Sequence, residues 1–140
     1  MVSKHILALL VSILAVGGMV AQDDFDVPPS KEKLQERVES VRKMRLLDVL
    51  DLQGAQVEKF YAVYNPAQAA VIDRKRAMDA KASELRTAVE NGADEATLRR
   101  LTDELLGAMK SFEGAIDKRH TDVRAVLTPE QFAAYMAFEA

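Results

Sequence analysis

The 140-residue chain contains no cysteine and no tryptophan. The missing thiols exclude a disulfide framework, a thiolate zinc site and a cysteine nucleophile. With aromatic residues at only 6 %, a large aromatic-lined pocket is not expected. Positive charge is not in excess: 19 Lys and Arg stand against 22 Asp and Glu, a net charge of -3, which argues against a nucleic-acid partner. There is no Gly-rich loop to cradle a phosphate, and the lone His beyond residue 21 has no paired nucleophile, so the chain is not expected to be an enzyme and no cofactor is implied. Glycine and proline are also scarce, six and four, and each proline sits where a helix can start, end or bend.

What remains favours helices. Ala, Leu, Glu, Lys, Arg and Met dominate, and the length suits one domain. Residues 1–21 read as a signal peptide, because Lys4 and His5 precede the apolar stretch Ile6 to Val16 and then small residues up to Ala21. The run from Ile6 to Ala21 is 16 residues, short of the roughly 20 a spanning helix needs. Removal of the leader implies no membrane insertion afterwards. Residues 22–29, QDDFDVPP, lack an apolar period and end in two prolines, so they read as an extended linker. Residues 30–140 form a single helical domain.

Within that domain Ser30 is placed to cap a first helix with apolar positions Leu34, Val38, Val41, Met44 or Arg45, and Leu47 to Leu50. After a break at Asp51 to Gly54, Val57, Tyr64, Val71, Met78 and Leu85 recur every seven residues, the seam of a long second helix closing at Asn91-Gly92. Its length of about 36 residues corresponds to roughly 54 Å. Pro66 is expected to kink or break it, and the continuous phase favours a kink. Asp94 caps a third helix, expected to be about as long, with Leu98, Leu101, Leu105, Met109, Phe112, Ile116, Val123 and Leu127 inward and a gap at Arg119 or His120. Two long amphipathic helices joined by Asn91 to Ala93 must lie antiparallel. The fold class is therefore all-α: a long hairpin with a short helix at each end. So thin a seam excludes little water, and a homodimer is the expected remedy. Gly107 and Gly114 stand either for close contact with another helix or for tolerated surface positions.

The last helix opens with Thr128 as N-cap, Pro129 at the first position and Gln131 closing a capping box. Its lead-in repeats an earlier one. Leu52 and Gln56 match Leu127 and Gln131 at a period of 75 residues, each Leu placed under a turn and each Gln reaching back to an orphan amide. With paired Leu-x-x-x-Gln corners, the second spelled Arg-x-Val-Leu-Thr-Pro-Glu-Gln at Arg124 to Gln131, the chain resembles the Spy and CpxP family over residues 34 to 138. The first corner departs from the family's spelling, with Gln53-Gly54-Ala55 in place of Thr-Pro-Glu. The resemblance implies a cradle-shaped periplasmic dimer acting as an ATP-independent chaperone or an adaptor in envelope-stress signalling, with unfolded or regulatory proteins as partners.

A related branch of that superfamily senses heavy metals in the periplasm. Here His120 is the single candidate ligand, and one turn later stands Arg124, a cation without a lone pair. The role expected for His120 is that of a helix-surface or interhelical residue, with metal ligation as the competing one. For client binding, basic residues gather at Arg37, Arg42 and Arg45, at Arg74 and Arg76, and at Lys118-Arg119, interleaved with Met44, Met78, Met109 and Met136. The plainer reading makes the same charges a solvated face and the methionines core.

Overall fold

A computed structural model describes residues 30–140; the leader and linker readings lie outside the described residues. Four helices follow in order: α1 (Lys31–Leu50), α2 (Ala55–Glu90), α3 (Glu95–Arg124) and α4 (Pro129–Glu139), with no strand among the described residues. Helices α2 and α3 pack together as the long hairpin, and α1 packs on α4 at its open end. The fold is all-α, as the periodicity requires.

Local chemistry explains each boundary. The Ser30 hydroxyl accepts from the Lys33 amide at 3.3 Å, and the Asp94 carboxylate accepts from Thr97 N–H at 2.7 Å, each satisfying an amide that the first turn cannot. The chain leaves α1 through Asp51 in the left-handed region (φ 46°), which a short polar side chain tolerates. At the hairpin tip the left-handed residue is Gly92 (φ 66°), while Asn91 stays at φ -87°. Gly92 N–H donates to the Val89 carbonyl and Ala93 N–H to the Ala88 carbonyl, the paired bonds of a Schellman motif.

Helix α2 runs unbroken through Pro66, which excludes the break that was the alternative to a kink; Pro66 and Ala62 are both exposed, so water can satisfy the Ala62 carbonyl that proline cannot. Other expectations are corrected. Helix α3 has 30 residues against 36 in α2. The first part of the stripe predicted for α1 faces outward, with Leu34 53 %, Val38 57 %, Val41 47 % and Met44 58 % exposed, whereas Leu50 at its end is buried as expected, together with Leu46, which the stripe did not include. Val41 and Leu46 are five residues, or about 140°, apart around the helix. Helix α4 has only 11 residues and covers the Leu46 side at the C-terminal end of α1. A Cβ added at Gly107 or Gly114 would meet nothing within 4 Å, so neither marks close helix contact within the chain.

The core lies where the four helices meet. Leu46, Leu50, Phe60, Tyr64, Val123 and Tyr135 are essentially inaccessible, each worth about 1.5–3 kcal/mol of burial. The Phe60 and Tyr64 rings stack at 5.2 Å, and Phe132 and Tyr135 at 6.0 Å.

Candidate functional site

The antiparallel hairpin brings the start of α2 and the end of α3 to the same place, so the two corners meet. Gln56 Nε2 donates to Gln131 Oε1 at 2.7 Å, and Gln131 Nε2 donates back to Gln56 Oε1 at 3.2 Å and to the Leu50 carbonyl at 3.2 Å. Gln131 Oε1 also accepts the Thr128 amide, and Thr128 Oγ1 accepts the Gln131 amide, completing the capping box on which Pro129 sits at the first helical position. One glutamine side chain thus ties α1, α2 and α4 together. The corners are not equivalent, because Gly54 (φ 55°) caps α2 with no side-chain bond. Gln53 lacks the short oxygen side chain that Thr128 has, so Gln56 does not reach back to an orphan amide; its amide pairs with Gln131. Leu52 is buried and Leu127 half-buried beneath the turns.

Beside this amide pair runs a polar network that the periodicity did not reveal. Glu139, near the end of α4, is ion-paired with both Arg42 of α1 and Arg119 of α3. Arg119 also donates to Gln68 of α2, whose Nε2 donates to Glu39 of α1 at 3.1 Å. Arg42 Nε donates to Tyr64 Oη at 3.1 Å and stacks over the Phe138 ring. Arg119 is only 4 % exposed, which corrects its grouping with Lys118 as a surface patch. The gap it leaves in the α3 seam was the one visible sign. Burial lowers the basicity of Arg42, but its bond to Tyr64 and the Glu139 charge outweigh that and raise it. Burial raises the Tyr64 pKa against the opposing pull of Arg42, and raises that of Tyr135 far above the ordinary phenol value. Tyr135 Oη and Arg119 Nε have no partner among the described residues.

The five candidate arginines do not share one face. Arg37 and Arg45 are exposed and, with Arg42, flank Val38, Val41 and Phe138 in a cleft of about 400 Å³ on the outside of α1. Arg76 borders a separate cleft between α1 and α2 with Glu32, Glu36 and Glu39, and lies 3.8 Å from Asp73. Arg74 lines a groove between α2 and α3 with Lys118, since two residues separate Arg74 and Arg76 by about 200° on the helix. His120 stands edge-on to Tyr135 with ring centroids 6.0 Å apart, its Nε2 buried without a partner among the described residues.

Residues 6–134 match the heavy-metal resistance family. The chain belongs to that family. Its members are periplasmic helical proteins related to Spy and CpxP. Neither a curated protein nor a solved structure matches the chain. Among the described residues no helix is long and apolar enough to cross a membrane.

A heavy-metal ion is poorly matched by the donors among the described residues. No group of three or more His, Asp or Glu residues converges among the described residues. His120 follows Arg119, and Glu139, which lines the same cleft, already neutralises two guanidinium groups. A cation placed there would meet two positive charges and one committed carboxylate.

Proposed function

We propose that this member of the heavy-metal resistance family is an exported periplasmic protein that binds non-native or regulatory proteins without nucleotide, as an ATP-independent chaperone or envelope-stress adaptor of the Spy and CpxP kind. The observation that carries the reading is the outer face of α1, where Leu34, Val38, Val41 and Met44 are all about half exposed between Arg37 and Arg45. Exposed aliphatic groups at helical spacing hold unfolded segments weakly, and the guanidinium groups attract acidic ones from a distance. Val89, Leu106 and Met109 are exposed along the hairpin, apolar surface that a second copy would cover in a homodimer; light scattering of the purified protein should return twice the chain mass. Excess protein should slow aggregation of an unfolded client without ATP, and the V38S/V41S double variant should lose most of that protection while keeping its helical circular dichroism. Full protection by that variant would refute α1 as the binding face.

Family membership alone favours a second reading, heavy-metal sensing. A metal that binds only the folded chain must raise its melting point. Titration with nickel, cobalt, copper and zinc should leave the melting point unchanged; a rise abolished by His120→Ala would establish the metal reading instead.

A further inference from the structure

Helix α1 sorts its charges by sign around its axis. At about 100° per residue, Leu34, Val41 and Val49 fall within about 60° of Val38, and so do Lys31, Arg42 and Arg45. No acidic residue shares that sector. Arg37 and Asp48 stand at one edge of it, about 100° and 80° from Val38. Glu32, Glu36 and Glu39 lie about 100–160° away on the other side, where with Lys43 they line the cleft towards α2. Leu34, Val38, Val41 and Val49 are each about half exposed. They form a ridge about 22 Å long, walled only where Phe138 of α4 stands beside Val38 and Val41.

We propose that this face of α1 lies on the surface of an anionic phospholipid bilayer, with its aliphatic groups at the acyl boundary and Lys31, Arg37 and Arg45 at the phosphates. The helix rests on the bilayer and does not cross it. Long basic side chains beside an apolar ridge reach up to the headgroups while their stems stay with the aliphatic groups, and acids turned to the opposite side avoid the negative surface. Arg42 is held by Glu139, whereas Lys31, Arg37 and Arg45 have no acidic partner within ion-pair distance among the described residues. An acidic peptide is the poorer occupant, because a segment gripped through its side chains needs a groove with walls, and a bilayer needs only a ridge flanked by cations. A second copy would double the positive charge on the face. The proposal does not rest on the client reading above; where both hold, lipid and client compete for α1.

The Cys-free sequence makes the test direct. In residues 22–140, which leave out the apolar leader, Val38→Cys labelled with nitrobenzoxadiazole reports on this face and Glu36→Cys with the same label reports on the opposite one. Vesicles of equal parts phosphatidylglycerol and phosphatidylcholine should raise the Val38→Cys emission at least about twofold and shift it to the blue. The Glu36→Cys emission should stay as it is, and phosphatidylcholine alone should give little change at either position. No response at Val38→Cys, or an equal one at Glu36→Cys, would overturn the proposal. R37Q/R45Q should weaken vesicle binding at least about tenfold, since each basic residue near an anionic surface contributes about fivefold, and about 0.5 M salt should weaken it comparably. Binding that neither change weakens would overturn the role given to the cations. Inorganic phosphate at constant ionic strength should not release the vesicles; release would mean that the site takes phosphate without a bilayer. A response to carboxymethylated α-lactalbumin, an acidic unfolded protein, with none to vesicles would make α1 a protein site and overturn the lipid one. Emission that rises with protein concentration in the absence of vesicles would overturn it in favour of a second copy.

Discussion

At the open end of the hairpin, where the corners meet, Leu46, Phe60, Tyr64, Val123 and Tyr135 are wholly buried; around the Asn91–Ala93 tip, Leu101 is the one buried side chain among the described residues. The tip is instead laced by the half-exposed pair Lys81–Glu104 and the exposed pair Arg99–Glu95, which with water close by contribute little. The same two helices run through both ends, so the difference comes from what covers them. Two helices bury one seam, whereas α1 and α4 add a second layer at the corners. The corner end should therefore set the global stability, with the tip opening locally at lower free energy. Phe60→Ala is expected to cost about 4 kcal/mol in urea unfolding, against about 2 kcal/mol for Leu101→Ala. Equal costs would show that the hairpin folds as one uniform rod.

The buried ions sharpen the contrast. Removing one partner of a buried pair leaves the other charge without compensation, so Glu139→Ala should cost about 3 kcal/mol by stranding Arg119. Filling the site with R119M/E139L should recover much of that loss. At the tip, Lys81→Ala should hardly move the unfolding midpoint, because Glu104 is partly open to water and keeps Arg100 as a partner. A Lys81→Ala loss as large as that of Glu139→Ala would remove the distinction between the two ends.

The amide pair at the corners comes next in size. Gln131→Ala deletes a capping bond, the Leu50 contact and the Gln56 pair together, and about 1–2 kcal/mol is expected. Gln56→Ala should cost less, since α2 has no side-chain cap to lose. A double-mutant cycle should give a coupling of at least about 0.5 kcal/mol between the two glutamines; additive effects would mean that the corners act independently.

Much of this was legible in the sequence and some was not, for identifiable reasons. Seven-residue spacing from Val57 to Leu85 located the inward face of α2, and Thr128, Pro129 and Gln131 marked the last helix, because both signals are local. The repeat of Leu52 and Gln56 in Leu127 and Gln131 pointed to two corners at one end of the hairpin. The Gln56–Gln131 pair itself depends on how that end closes. Helix α1 misled because it carries two apolar stripes, and periodicity cannot say which one a partner will cover. The network around Arg119 stayed hidden for a related reason: a charged residue in an apolar register looks like a gap until Glu139, 20 residues later, is brought beside it. Nothing in a two-residue C-terminal stretch marks Glu139 in advance.

The smallest effects come from pH, and they act on the two ends in opposite senses. At the tip, the Thr97 amide holds the Asp94 carboxyl below its ordinary 3.8, and Lys81 with Arg100 holds Glu104 below 4.5. A depressed carboxyl pKa means that the unfolded chain takes up the proton first, so this stability is present above those values and is lost as pH falls below them. At the corner, burial raises Tyr61, Tyr64 and Tyr135 above the ordinary 10.0. A raised phenol pKa stabilises the folded chain below pH 10 and withdraws that support as pH climbs past it. Amide exchange should therefore show tip amides losing protection as pH drops through about 4. Tyrosinate absorbance should rise together with corner unfolding on the alkaline side. Because these three are all the tyrosines in the chain, a tyrosinate step near pH 10 in the still-folded protein would mean that at least one phenol is open to water and that the corner is looser than its packing requires.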